Sequence, residues 1–111
     1  MLIYKIFRAD EWAQLKRDGE TKGAPIDIAD GFVHFSTGSQ VGETARRYFA
    51  GADGLVVATV DTDLLGEHLV WEPSRGGDLF PHLYREMRLS DVIAVSDLPR
   101  LTANQTFPDL P

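Results

Sequence analysis

The run "GFVHFSTGSQ" puts an imidazole and a hydroxyl, His34 and Ser36, two residues apart on a β-rich stretch. On a strand, residues i and i+2 point the same way, so both would look out of one face, with Val33 and Phe35 turned to the core. Two later stretches repeat the arrangement. In "LFPHLY" the shared face holds Phe80, His82 and Tyr84; in "HLVWEP" it holds His68, Val70 and Glu72, with Leu69 and Trp71 opposite. Convergence of these faces would make a wet cleft with an aromatic wall, a common way to build a ligand site. Between the two stretches lies "SRGGD", where Ser74 and Arg75 could meet a ligand and the guanidinium could pair with a phosphate or carboxylate. Thr37 opens a helix whose free N–H groups also suit an anion.

Plainer roles compete with each of these. Ser36 and Thr37 are residue types that helix caps require anyway. His68 follows a turn and reads as exposed, and Trp71 reads as core. Three histidines could ligate zinc, but none lie at the short spacings of ready-made sites. The nucleophile elbow G-x-S-x-G is absent, as are the Walker loop and G-x-G-x-x-G. A Ser36–His triad would depend wholly on the fold. The chain has no cysteine, which excludes a disulfide scaffold, a thiol nucleophile and a cysteine-based zinc site, and fits a reducing cytoplasm.

The elements that must position these groups follow from pattern. "LIYKIF" (2–7) reads as a strand. A helix is expected over 8–19, with Ala9, Trp12, Ala13 and Leu15 as its apolar stripe, acids early, bases late and Gly19 as its stop. Residues 19–30 read as a loop held by Gly23 and Pro25. A strand over 31–36 then meets a capping box, Thr37 with Gln40, and a helix whose Val41, Thr44, Ala45, Tyr48 and Phe49 recur at helical spacing until Gly51. "GLVVATVD" (54–61) is continuously apolar, as a strand covered on both faces should be. A helical turn in "DTDLLGE", strands at 68–73, 79–84 and 91–98, and a loosely draped tail complete the reading. The fold class is α+β, with two helices in the N-terminal half.

At 111 residues there is room for one domain, expected over 1–98 with a tail at 99–111. A chain this long buries roughly 65% of its unfolded surface. No apolar h-region opens the N-terminus, so no signal peptide is expected, and no apolar run approaches the length of a membrane span. A net charge of −6 disfavours phosphate backbones at long range, so nucleic acid is not the expected partner.

The segments "DGFVHFST", "QVGETARRYFAG", "LVVATVD", "LVWEPSRGGDLFPHLY" and "VIAV" together resemble a small bacterial family of unknown function. The resemblance spans residues 1 to 98, with "HFST" and "WEPS…LFPHLY" as its signatures. That family is grouped by fold with the ADP-ribosyltransferases, which implies a split mixed or antiparallel sheet around a nicotinamide dinucleotide. "FVHFS" and "LVVATVD" are also similar, in the same order, to strands of the RNA 2′-phosphotransferases of that superfamily. The implied site has His34 and Ser36 on ribose or amide groups, Tyr84 or Trp71 stacking and Arg75 on phosphate. A transferase would use Glu72 as the residue that stabilises developing positive charge. Lys5 stands where the superfamily carries a ribose-holding histidine, and the phosphotransferases' early R-H pair is missing. Two other readings stay open: a non-enzymatic module that binds a protein or a second copy through its aromatic strand faces, and a histidine-based metal enzyme.

Overall fold

The seven residues Leu55–Asp61, strand β5, are buried from Leu55 to Val60 because strands pair with both of their edges. On one side β5 meets β1 (Leu2–Phe7), in register from Leu2↔Asp61 to Phe7↔Val56. On the other it meets β9 (Val92–Leu98), with a register shift at Thr59/Val60. The structure, a computed structural model, describes residues 1–100 together with Phe107 and Leu110. The tail expected over 99–111 lies for the most part outside the described residues.

All described ladders are antiparallel. One sheet runs β4-β1-β5-β9, where β4 is Ser36–Thr37. A second runs β3-β7-β6, made from Val33–His34, Leu79–Leu83 and Leu69–Pro73. A two-residue pair, β2 (Glu20–Thr21) with β8 (Met87–Arg88), forms a third. Strand alternation sorts the core into two layers. Ile3, Phe7, Val56, Ala58 and Val60 face Leu15, Val33, Phe35 and Leu83, between the two larger sheets. Tyr4, Ile6, Leu55 and Val57 face Val41 and Ala45, with Phe107 and Leu110 packed against that layer.

Helix α1 (Ala9–Asp18) ends at Gly19, whose φ of 79° lets its N–H reach the Leu15 carbonyl at 2.8 Å. Only Leu15 of the expected stripe is fully buried; Trp12 leans on Phe7 with centroids 5.5 Å apart, and Ala9 and Ala13 stay exposed. Three other expectations are corrected. Residues 25–30 are a helix, α2 (Pro25–Asp30), which makes three helices rather than two in the first half. Pro25 in its first turn and Gly31 after its end are the marks of a short helix. The strand expected over 31–36 breaks at Phe35: β3 pairs with β7 and β4 with β1, so the chain changes sheets there. Helix α3 (Val41–Phe49) starts four residues later than expected, because Thr37 is spent in the β1 ladder. Half of the capping box survives, with Thr37 N donating to Gln40 Oε1 at 3.0 Å, while the Thr37 hydroxyl contacts Ser39. Within α3, Val41 and Ala45 are buried, but Tyr48 is 56% exposed. The turn expected in "DTDLLGE" is a pair of 3₁₀ turns, Thr62–Leu64 and Gly66–His68, with Leu65 buried between them.

Candidate functional site

The sheet change at Phe35 makes the site. Ser36 is already paired with Tyr4 of β1, while His34 is paired with His82 of β7. Phe35 is buried between the sheets, its N–H donating to the Pro81 carbonyl at 3.0 Å. The sheets part on the other face, and a cavity of about 420 Å³ opens there, within the range of small-molecule sites. His34, Ser36, His82, Lys5 and Asp27 line it, with Arg8 and Arg75 on its wall.

Asp27 is the hub of one end. It is 1% exposed, and its carboxylate takes four contacts from three segments: β1, β3 and its own helix turn. Oδ2 takes Lys5 Nζ at 2.8 Å and Ala24 N at 2.7 Å; Oδ1 takes His34 N at 3.1 Å and faces His34 Nδ1 at 2.5 Å. Burial pushes its carboxyl up, but the His34 hydrogen bond and the Lys5 charge outweigh it and hold the group at about 2. The other ring nitrogen of His34, Nε2, lies 3.1 Å from Asp30 Oδ2. Lys5 thus stands in an otherwise apolar strand because a buried carboxylate waits opposite it.

A second imidazole pairs with a second acid. His82 Nδ1 is 2.8 Å from Glu72 Oε1, which also accepts the Tyr84 hydroxyl at 2.7 Å. The Tyr84 and then the His82 hydrogen bond hold the Glu72 carboxyl below its usual range, and the same contact raises the Tyr84 phenol. Phe32 stacks on the His82 ring with centroids 4.2 Å apart and touches the His34 and Tyr84 rings at 4.6 and 5.2 Å. His34 meets His82 edge-on at 5.1 Å.

The opposite end is cationic. Arg75 donates to Thr44 Oγ1 at 3.1 Å, which in turn contacts Ser36 Oγ at 3.0 Å. Its guanidinium lies 5.0 Å from the Phe80 ring and 5.7 Å from Tyr48. Arg8 covers Phe49 at 4.6 Å and donates to the Tyr48 carbonyl at 3.5 Å. Neither arginine forms an ion pair among the described residues.

Of the residues expected from sequence, the cavity brings together His34, Ser36, Ser74, Arg75 and His82. Thr37, Trp71, Glu72 and Tyr84 are not in its lining. Glu72 and Tyr84 stand behind His82. Trp71 is opposite Pro81, on the other face of β6 from Glu72, and at 37% exposed it is not a core residue either. His68 is exposed, and its carbonyl accepts Tyr84 N at 2.8 Å. Sequence reasoning missed Lys5, Asp27, Arg8 and Tyr48. The signals were a lysine inside an apolar strand and an aspartate two residues after a helix-starting proline. Among the described residues no group of three or more histidines and acids could hold a metal ion, and no helix is long and apolar enough to cross a membrane.

Three solved structures of protein CC0527 from Caulobacter crescentus resemble this chain. The crystal structure is 47% identical, with a TM-score of 0.88, covering 94% of this chain and 90% of that one. A double mutant of the same protein matches at 46% identity and the same TM-score. The solution NMR structure matches at 47% identity and a TM-score of 0.80, over 93% of this chain and 88% of that one. No curated protein matches the chain. A family model covers most of its length, from β1 to β9, and so the chain belongs to the family described as "Protein of unknown function (DUF952)", matched over residues 6–95.

Proposed function

We propose that the cleft binds a small anionic ligand of nucleotide type, an NAD-like dinucleotide in the first instance, as the ADP-ribosyltransferase-like resemblance implies. One observation carries the reading. In a chain of net charge −6, two guanidiniums, Arg8 and Arg75, bracket Tyr48 on the cavity wall and have no ion pair among the described residues. Such cations suit phosphate oxygens, and Tyr48, Phe49 and Phe80 offer ring faces beside them. The imidazoles of His34 and His82 at the far end, and the Ser36 hydroxyl beside the Arg75–Thr44 pair, suit ribose or amide groups. The parting of two antiparallel sheets at this cleft also supports the resemblance.

Calorimetric titration with NAD, ADP-ribose and inorganic pyrophosphate tests it. Binding of a dinucleotide is expected, weakened about tenfold or more by Arg75→Ala and again by Arg8→Ala, since a charge-assisted contact contributes about 1.5–3 kcal/mol. Absence of any binding at millimolar concentration, or affinity indifferent to both arginines, would sink the reading. A second reading, a non-enzymatic interaction module, is favoured by Ile93 and Val95, both exposed on β9 at the edge of its sheet. Sedimentation showing dimers that Val95→Lys dissolves would support it.

A further inference from the structure

Both ring nitrogens of His34 face carboxylates: Nδ1 meets Asp27 Oδ1, and Nε2 lies 3.1 Å from Asp30 Oδ2. An ionised carboxylate only accepts. A neutral imidazole carries one proton, so one of the two contacts would then set a lone pair against a lone pair. Both are hydrogen bonds only when the ring is an imidazolium. The surrounding charges fit that state. Lys5 Nζ from β1 lies on Asp27 Oδ2 at 2.8 Å, so two cations, Lys5 and the imidazolium, meet two carboxylates of α2. From β7 the His82 ring stands edge-on at 5.1 Å, with Glu72 of β6 on its Nδ1. The two carboxylates are not equivalent, although both line the cavity. Asp27 is 1% exposed and is also held by Lys5, Ala24 N and His34 N. The Asp30 side chain is 44% exposed and has no other ion pair or side-chain hydrogen bond among the described residues. It ends α2, just before Gly31 with its φ of 86°. An exposed carboxylate held by one contact is readily exchanged for another acidic group; a buried one held by four is not.

We propose that the His34 imidazolium is a second, proton-dependent anion subsite of the cleft, held by Asp30 until an acidic group of the ligand displaces it. This rests on the anionic-ligand reading above and narrows it. The ligand carries two acidic groups, one for Arg8 and Arg75 and one for His34 Nε2. Asp27, with Lys5 behind it, keeps the ring oriented. When His34 loses a proton, Nδ1 keeps the remaining one for the buried Asp27 carboxylate. Nε2 then turns from donor to acceptor and rejects an anion. The second acidic group therefore binds together with a proton, and binding of the one favours binding of the other.

The test titrates the whole chain, by calorimetry, with α,ω-alkanedisulfonates from ethane to hexane and with the matching monosulfonates. Sulfonates stay ionised throughout, so any pH dependence belongs to the protein. At about pH 5.5 the best disulfonate is expected to bind about tenfold more tightly than its monosulfonate, and at about pH 8.5 that advantage should fall below about twofold. His34→Gln, which can still donate to Asp27, should show no advantage at either pH. Asp30→Ala should bind the disulfonate about threefold more tightly at the lower pH, and the gain should vanish in the His34→Gln background. The pH series on the parent needs no variant and decides the matter even where His34→Gln does not fold. An advantage equal at both pH values, or none at either, overturns the proposal. So does an Asp30→Ala gain that persists without His34, which would be mere loss of a negative charge. In each case, binding of monosulfonates or NAD that depends on Arg75 leaves the reading above standing. A chain that binds none of these anions overturns both.

Discussion

His34 and His82 are register partners across β3 and β7, with ring centroids 5.1 Å apart. Their surroundings differ in kind. His34 is half-buried, and Asp27 and Asp30 face its two ring nitrogens while Asp27 also takes its backbone N–H. His82 is buried, meets one carboxylate, and keeps one nitrogen unmatched. The first is fixed by charge, in a network that also holds Lys5 and the start of α2. The second is fixed by packing, under Phe32. The contrast separates two arrangements: the Asp27 network ties the fold together at the sheet change, and the His82 pair leaves one ring nitrogen unmatched beside it.

If that division is right, breaking the charge network should cost stability first. Asp27→Asn leaves the Lys5 ammonium buried without its counter-ion and should destabilise the chain by about 3–5 kcal/mol in urea unfolding. A loss below about 1 kcal/mol would mean that the network does not hold the fold. The pH dependence sharpens the same point. Asp27 titrates at about 2 in the folded chain against an ordinary 3.8, so its contribution is present above 3.8 and is lost as the pH falls through 2. That acid arm should amount to about 2 kcal/mol and should be missing from Asp27→Asn. Gly23 comes next. Its φ is 97°, and a Cβ there would stand 2.2 Å from Asp27 Oδ2. Gly23→Ala should cost about 1–3 kcal/mol and displace the carboxylate, seen as a shift of the His34 ring resonances. Unchanged His34 resonances would show that the hub tolerates the intrusion. The smallest effect belongs to the other histidine's side. Tyr84→Phe removes one hydrogen bond from Glu72, so the Glu72 carboxyl should rise toward its ordinary range in an NMR titration while thermal stability barely moves.

Much of the frame was legible because it rests on local pattern. β1 and β5 declare themselves by composition, and the same-face reading of His34 with Ser36, and of Phe80 with His82, needs only the two-residue period of a strand. α2 escaped because six residues are too few for a helical period to show, although Pro25, Asp27 and Gly31 mark its ends. The break at Phe35 escaped because an apolar residue between two strands looks the same whether or not the chain changes sheets. Lys5 and Asp27 are 22 residues apart, and nothing short of the fold says that they meet. Glu72 was read as facing a ligand, but its position behind His82 depends on the register of β6 with β7, which sequence does not print.

The cationic wall within an acidic chain has a consequence for which anions get in. A short dianion lodged between Arg8 and Arg75 feels two nearby positive charges, whereas a long polyanion must also lie along a surface whose charges sum to −6. On the proposed reading, the cleft therefore sorts anions by length. Added salt, which screens the far charges before the near ones, should blur that sorting by admitting longer competitors sooner than it releases compact ones.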